Sequence, residues 1–525
     1  MSRNAKRWVL AAGAVAVIAI VAAAIVVLRG GSDTPPPAAP RPSSEDAGDV
    51  VNRYLWAWSS GDDAAAAALT DDPAGAVAAF AAVRASLAPT GFAATLRQIT
   101  GQKAGIHVKW TLAEGRVWNY DNDLSLVHGD GGWRVHFTPA AIHPQLAPGD
   151  RLVVRAGAEG PAVTDRDGKA LMTWQPNGPK AVDPGFAPLV LPGIGRLATG
   201  SGRAWGVVLV DPANKTTTVY NEGTENAKAL TTSLSSKAQA AAQAAVDGAG
   251  FPAMLVAIQP STGDILAVAQ SASVTSGNAL TGLYAPGSTF KIATAAAVLQ
   301  AGAADANTVL PCPGTAQIGQ RTIPNDDQFS LPSLPLHSAF AHSCNTTFAQ
   351  LASQLPADAL AKAASQFGLN SDFDIRGLTT EAGKVLPSAN SAEQVESAIG
   401  QGKVQASPFG LALMAATVSA GKAVTPQLVR GQDTSVTTGY QAPSGAVLTA
   451  LRSMMREVVT GGTATGLARS GNVFGKTGTA QFGDGSQANG WFTGYRDDVA
   501  FSVLLLGSNS SKPAVSVSAA FLRGL

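Results

Sequence analysis

Three short polar peptides constrain this chain more than any other feature: Ser288-Thr289-Phe290-Lys291, Ser343-Cys344-Asn345 and Lys476-Thr477-Gly478. If they act together, the fold must carry three distant stretches of sequence into one cleft. Between them they supply a hydroxyl nucleophile, a second hydroxyl, a carboxamide and two amines that can serve as base or as cationic anchor. A serine hydroxyl is a poor nucleophile until a neighbour takes its proton. Here lysine stands where many serine enzymes use histidine.

None of the three is specific alone. Ser-x-x-Lys recurs at Ser419 to Lys422, and Ser-x-Asn recurs at Ser2, Ser276, Ser388 and Ser470. Local context separates them. Pro286-Gly287 ends an irregular segment before Ser288, and the alanine-rich run after it predicts a helix. Ser288 then lies at the helix start, with Lys291 one turn on along the same face. A serine there is commonly a plain N-cap, so the position gains meaning only beside the other two peptides. The Ser419 copy runs into Gly421 with Pro426 beyond, and reads as a helix C-terminus. Lys476 lies in Val473 to Phe482, which reads as a strand whose glycines mark a close approach to the backbone.

Taken together, the peptides resemble those of the penicillin-binding proteins, specifically the class B D,D-transpeptidases. Met254 to Ala269 resembles the opening hairpin of that domain, Ala398-Ile399-Gly400-Gln401-Gly402 its Gly-Gln-Gly segment, and Gly490 to Tyr495 the strand after its Lys-Thr-Gly strand. The resemblance covers residues 239–525. Cys344 is a departure in the middle of the second motif, at a position where family members vary. The implied fold is a β-lactamase-like antiparallel sheet flanked by helices, within an α+β multidomain chain.

The resemblance also implies an activity: a serine-type peptidoglycan D,D-transpeptidase, without metal or cofactor. Ser288 would be acylated by a stem peptide ending in D-Ala-D-Ala and pass the acyl group to an amine on a neighbouring stem. β-Lactams would acylate the same serine. Lys291 would be the base, which requires a pKa lowered by burial and by a second cation, Lys476. Ser343 would bridge the two lysines and pass a proton to the leaving amine. Asn345 would hold Lys291 or bind the substrate backbone. The hydroxyls of Thr477 and Thr479, with Gly478 between them and the charge of Lys476, would hold the terminal carboxylate. The backbone amides of Ser288 and Thr479 would form the oxyanion hole.

Cys312 and Cys344 are the two cysteines of the chain. In an oxidising compartment they can pair and tether the second motif to the segment around Pro311 and Pro313; the other reading is two small buried thiols. A catalytic Cys344 lacks a histidine-and-orienter pattern. His342 precedes Ser343, but adjacent side chains seldom face each other.

The compartment is set by the N-terminus. Trp8 to Leu28 is one apolar run after Arg3, Lys6 and Arg7. Its roughly 20 residues at about 1.5 Å each span a bilayer core, and the flanking cations place residues 1–7 in the cytoplasm. This predicts a single-pass protein of the bacterial cytoplasmic membrane, helix at 8–28 and bulk extracytoplasmic. A cleaved signal peptide is the other reading: the run exceeds its usual apolar core, but the small residues Ala22 to Ala24 leave cleavage open. Residues 29–47, rich in proline, serine and glycine, predict a solvated tether.

Residues 48–146 predict a first folded unit: helices over Val50 to Ser59 and Ala74 to Leu87, then strands over Gly105 to Leu112, Gly115 to Trp118, Leu124 to His128 and Trp133 to Phe137, with Tyr54, Trp56 and Trp58 available for packing. On Tyr54 to Asp62 and Trp133-Arg134-Val135 this unit resembles the nuclear-transport-factor-like domain of some class B proteins, notably the low-affinity, methicillin-resistance type. Residues 147–238 resemble the family's linker or pedestal domain, with Thr164 to Leu171 as a short hairpin and Asp165 and Asp167 in a solvated turn.

Net charge +1 and 14% charged residues leave no basic stripe for nucleic acid, and the 6 histidines show no metal-ligand spacing. The partners expected are stem peptides, β-lactams, the membrane and a membrane glycosyltransferase of the wall machinery. No glycosyltransferase element is found in the chain itself. Two other readings share the motifs: a serine β-lactamase, which needs a deacylating base, and a non-enzymatic β-lactam sensor or division scaffold.

Overall fold

The computed structural model describes residues 46–156, 161–175, 178–200, 205–222, 229–483 and 485–525. The expected cytoplasmic tail, the apolar run 8–28 and all but the last two residues of the tether lie outside them. Among the described residues no helix is long and apolar enough to cross a membrane. The chain divides into two compact units, one reaching to Val153 and including Val208–Thr217, the other formed by Val154–Val207 and Thr218–Leu525.

In the first unit, helices Ala47–Ser60, Asp63–Ala67 and Pro73–Leu87 precede an antiparallel sheet of Gly91–Thr100, Lys103–Thr111, Val117–Gly129 and Gly132–Val135. Asp62 and Asp72 cap the second and third helices, accepting from Ala65 N and Gly75 N. Tyr54, Trp58, Phe80 and Trp110 are buried, and Trp58 lies 5.3 Å from Phe80 and 4.6 Å from Phe92, ring centre to centre. Trp56, expected to pack, is 73% exposed: two residues from both Tyr54 and Trp58, it falls on the opposite face of the helix.

The sheet differs from expectation at two strands. Gly91–Thr100 is a strand that the sequence does not announce, because a register shift between Leu96 and Gln98 breaks its alternation. Val117–Gly129 is one continuous strand where two are expected. The polar residue Asn122 occupies an inward position in its middle, satisfied by donating to the carbonyls of Ala140 and Ala141.

In the second unit, Pro161–Thr164 and Ala170–Gln175 form the expected hairpin, joined by Gly178–Ala181 and Leu230–Thr231. Its turn is not fully solvated. Asp165 is 2% exposed and accepts from Asp167 N, Lys169 N and Ser236 Oγ, while Asp167 faces water. The carboxylate organises the turn rather than hydrating it.

The main sheet has five antiparallel strands in the order Ile265–Gln270, Ala253–Ile258, Val499–Leu505, Gln487–Arg496, Val473–Phe482. Helix Pro408–Ala420 packs on three of these strands and is buried from Pro408 to Val418, as expected of a helix apolar all round. Ser407 caps it and Gly421, at φ +76°, ends it, so the Ser419 to Lys422 copy of the first motif straddles a helix terminus. Helices Ser236–Asp247 and Lys512–Gly524 pack against each other and against the sheet. Strand Val473–Phe482 lies at the sheet edge, with one side turned away from the ladder.

Candidate active site

The segment Gly287–Phe290 is a tight 3-10 turn that runs straight into helix Lys291–Gln300. Ser288 is half-buried in that turn and Lys291 is fully buried one turn later. The turn is held by the Gly-Gln-Gly segment: Gly287 N donates to Gly400 O, 2.9 Å. Gly400 has φ +73°, and a Cβ there would stand 2.0 Å from Gly287 O, so the close approach requires glycine.

The second motif arrives between helices Leu336–Ala341 and Asn345–Ala352. Ser343 sits in the left-handed region, φ +65°. The bend places Ser343 and Asn345 toward Lys291, and His342 lines the same groove. Cys344 points away and forms a disulfide with Cys312, Cα–Cα 6.0 Å, both cysteines being buried.

The structure brings Ser288, Lys291, Ser343 and Lys476 together in one cleft. Lys291 Nζ lies 2.9 Å from Ser288 Oγ, 2.6 Å from Asn345 Oδ1, 2.8 Å from Ser343 O and 3.2 Å from Ser343 Oγ. Lys476 Nζ donates to Ser343 Oγ from the other side, 2.9 Å. Both amines are enclosed, each near the face of a phenylalanine: Lys291 5.8 Å from Phe348 and Lys476 5.6 Å from Phe340, nitrogen to ring centre. Burial holds Lys291 well below the usual lysine range, and the Lys476 charge lowers it further. Burial pulls Lys476 down to about 7.

These pKa shifts permit base chemistry. A neutral Lys291 has two N–H bonds, enough to donate to Asn345 Oδ1 and Ser343 O. Its lone pair then faces Ser288 Oγ as proton acceptor. Thr477, Gly478 and Thr479 line the same groove of about 410 Å³ as Ser288, Ser343 and Asn345. A Cβ on Gly478 would reach to 2.7 Å from Pro286 O, so the edge strand abuts the turn that carries Ser288.

The sequence matches the penicillin binding protein transpeptidase domain over residues 253–523, slightly more than half of the chain. The chain belongs to the penicillin-binding protein transpeptidase family. Residues 46–150 match the NTF2-like N-terminal transpeptidase domain. Among curated proteins, the peptidoglycan D,D-transpeptidase PbpA of Mycobacterium tuberculosis is 34% identical over an alignment of 273 residues, gaps included, that covers 44% of this chain and 55% of that protein. The peptidoglycan D,D-transpeptidase MrdA of Acinetobacter baumannii is 28% identical over 281 residues, 44% of this chain and 42% of that one. The chain spans about half the length of the curated relatives it matches. Among solved structures, the D,D-transpeptidase domain of a peptidoglycan glycosyltransferase from Eggerthella lenta has 26% identity and a TM-score of 0.55, covering 70% of this chain and 98% of that one. The penicillin G acyl-enzyme complex of penicillin-binding protein A from M. tuberculosis, at 24% identity and TM-score 0.55, covers 70% and 99% and shares the fold.

Two parts of this site are not announced by the sequence. Asn325 donates to Pro313 O and Phe329 O and accepts from Thr346 N, fixing a loop whose Asp326 and Asp327 line the groove. Thr463 shares a 2.6 Å hydrogen bond with the Thr477 hydroxyl. Neither lies in a recognisable motif. The faint signal for the second is Gly461-Gly462 after an amphipathic helix, which marks a tight turn.

Proposed function

We propose that this chain is a peptidoglycan D,D-transpeptidase that works through a Ser288 acyl-enzyme and is acylated by β-lactams. The observation that carries the reading is the shared contact of Ser343 Oγ with two buried amines, Lys291 and Lys476, beside Ser288. Ser288 attacks the D-Ala carbonyl as its proton passes to Lys291. The leaving D-alanine amine receives that proton through the Lys291–Ser343 pair. Asn345 keeps the Lys291 amine aimed, and Lys476, Thr477 and Thr479 hold the terminal carboxylate. The backbone amides of Ser288 and Thr479 receive the oxyanion, which a helix start favours. An amine of a neighbouring stem peptide then takes the acyl group.

In this reading residues 239–525 form the transpeptidase domain, 147–238 a pedestal and 48–146 the nuclear-transport-factor-like domain. The apolar run 8–28 anchors the chain in the cytoplasmic membrane, with tail 1–7 inside and tether 29–47 outside. The catalytic domain then faces the wall, within reach of a membrane glycosyltransferase supplying glycan strands. Mass spectrometry after benzylpenicillin treatment tests the activity. The expected result is one adduct, on Ser288, absent from Ser288→Ala. An unmodified wild-type chain, or an adduct that survives the substitution, refutes it.

A further inference from the structure

Thr463 lies outside all three motifs yet bonds to the third and to the helix that leads into the second. It follows helix Gly445–Thr460 in a turn closed by Gly461 N and Gly462 N, both donating to Glu457 O. Its backbone N donates to Ala341 O, 3.1 Å, in the helix that leads into Ser343. A Cβ on Gly462 would stand 2.3 Å from the same carbonyl, so the turn seats closely on the second-motif segment. Its side chain reaches the third motif, where Thr463 Oγ1 and Thr477 Oγ1 are 2.6 Å apart. Thr463 is exposed and lines the groove, whereas Thr477 is only 3% exposed.

A hydroxyl has one proton to give. If Thr477 donates to Thr463, that proton is turned away from the groove. If Thr463 donates to Thr477, the Thr477 proton is free for a ligand anion. An arriving carboxylate selects the second arrangement, because a hydrogen bond to a charged group is stronger than one between two neutral hydroxyls.

Resting on the activity reading above, we propose that Thr463 is a positioning residue for substrate selection: its hydroxyl donates to Thr477 and thereby points the Thr477 proton at the free carboxylate of a peptide or β-lactam. The site then discriminates ligands with an ionised carboxylate from neutral ones partly through a residue that lies on neither the nucleophile helix nor the edge strand.

The test uses the full chain and two probes, benzylpenicillin and its methyl ester, with the rate of Ser288 adduct formation read by mass spectrometry. Thr463→Val and Thr463→Ala are expected to slow the acid about tenfold or more, the worth of a hydrogen bond to a charged group, and to leave the ester unchanged. Thr463→Ser is expected to restore the acid rate. The position is exposed, so these substitutions remove no core contact. Equal slowing of acid and ester, an unchanged acid rate, or failure of serine to restore it overturns the proposal. Absence of any adduct on the wild-type chain overturns the activity reading itself. A normal wild-type adduct with unselective Thr463 variants overturns this proposal alone.

Discussion

The two amines impose a pH profile. In the proposed mechanism Lys291 must be neutral to take the Ser288 proton, and Lys476 must be charged to hold a carboxylate. Burial and the Lys476 charge hold Lys291 well below the ordinary lysine range, so acylation rises with pH as Lys291 deprotonates. Lys476 is pulled down to about 7 by burial, so its charge is lost as pH rises through neutrality. Half of it is charged at that pH. By mass action the charged fraction falls about fivefold over the next pH unit and about tenfold for each unit beyond. The second-order rate constant for acylation by benzylpenicillin reports the free protein, and should descend on that slope above neutrality.

Two controls isolate the cause. The methyl ester has no charge for Lys476 to meet, so its alkaline limb should vanish. Lys476→Arg keeps its charge throughout, so its profile should stay level above neutrality even if its rate is lower. The assay is adduct formation by stopped reaction and mass spectrometry at constant ionic strength. A constant rate for the acid across the neutral to alkaline range, or the same descent for the ester, would refute the assignment of Lys476 as the carboxylate cation.

Ser343→Ala removes the oxygen that receives Lys476 Nζ at 2.9 Å, and acylation should fall about 100-fold or more, the usual worth of a positioned proton relay. It also removes a hydrogen bond to the charged form of Lys476, so the alkaline limb should move to lower pH. Gly400→Ala places a Cβ 2.0 Å from Gly287 O and should displace the nucleophile turn; about a 100-fold loss of acylation with an unchanged circular dichroism spectrum is expected. Replacing Cys312 and Cys344 together by serine opens a cross-link spanning a sequence separation of 32, and should cost about 4 kcal/mol in a denaturant titration.

What the sequence discloses depends on whether a contact is local. Ser288 and Lys291 are one helical turn apart, so their adjacency follows from the run behind them. Val473–Phe482 reads as a strand whose glycines mark close approach, and Gly478 does abut Pro286 O. The meeting of Lys476 with Ser343 is a property of the whole sheet and is read only through the family's motifs. Where no motif marks the residue, it stays hidden. Thr463 and Asn325 act through partners far along the chain, and a lone threonine or asparagine looks like any surface residue. Asp165 shows the converse: in a glycine-containing turn it looks hydrated, but Ser236 closes over it.

Cys344 explains why a motif can keep its ends and vary its middle. Ser343 and Asn345 are two residues apart and both contact Lys291 Nζ. The residue between them turns the other way: Cys344 is fully buried, bonded to Cys312 beneath the groove. No reacting atom sees its side chain. Its identity is therefore set by what lies under the motif, not by the chemistry above it. In this chain that is a strand, Val309–Cys312, pinned to helix Asn345–Ala352 through Thr347 Oγ1 and Pro311 O as well as through the disulfide. The cross-link thus fixes from below a residue pair whose function requires a left-handed backbone at Ser343. The departure from the usual motif residue strengthens the support of the site and leaves its reacting face unchanged.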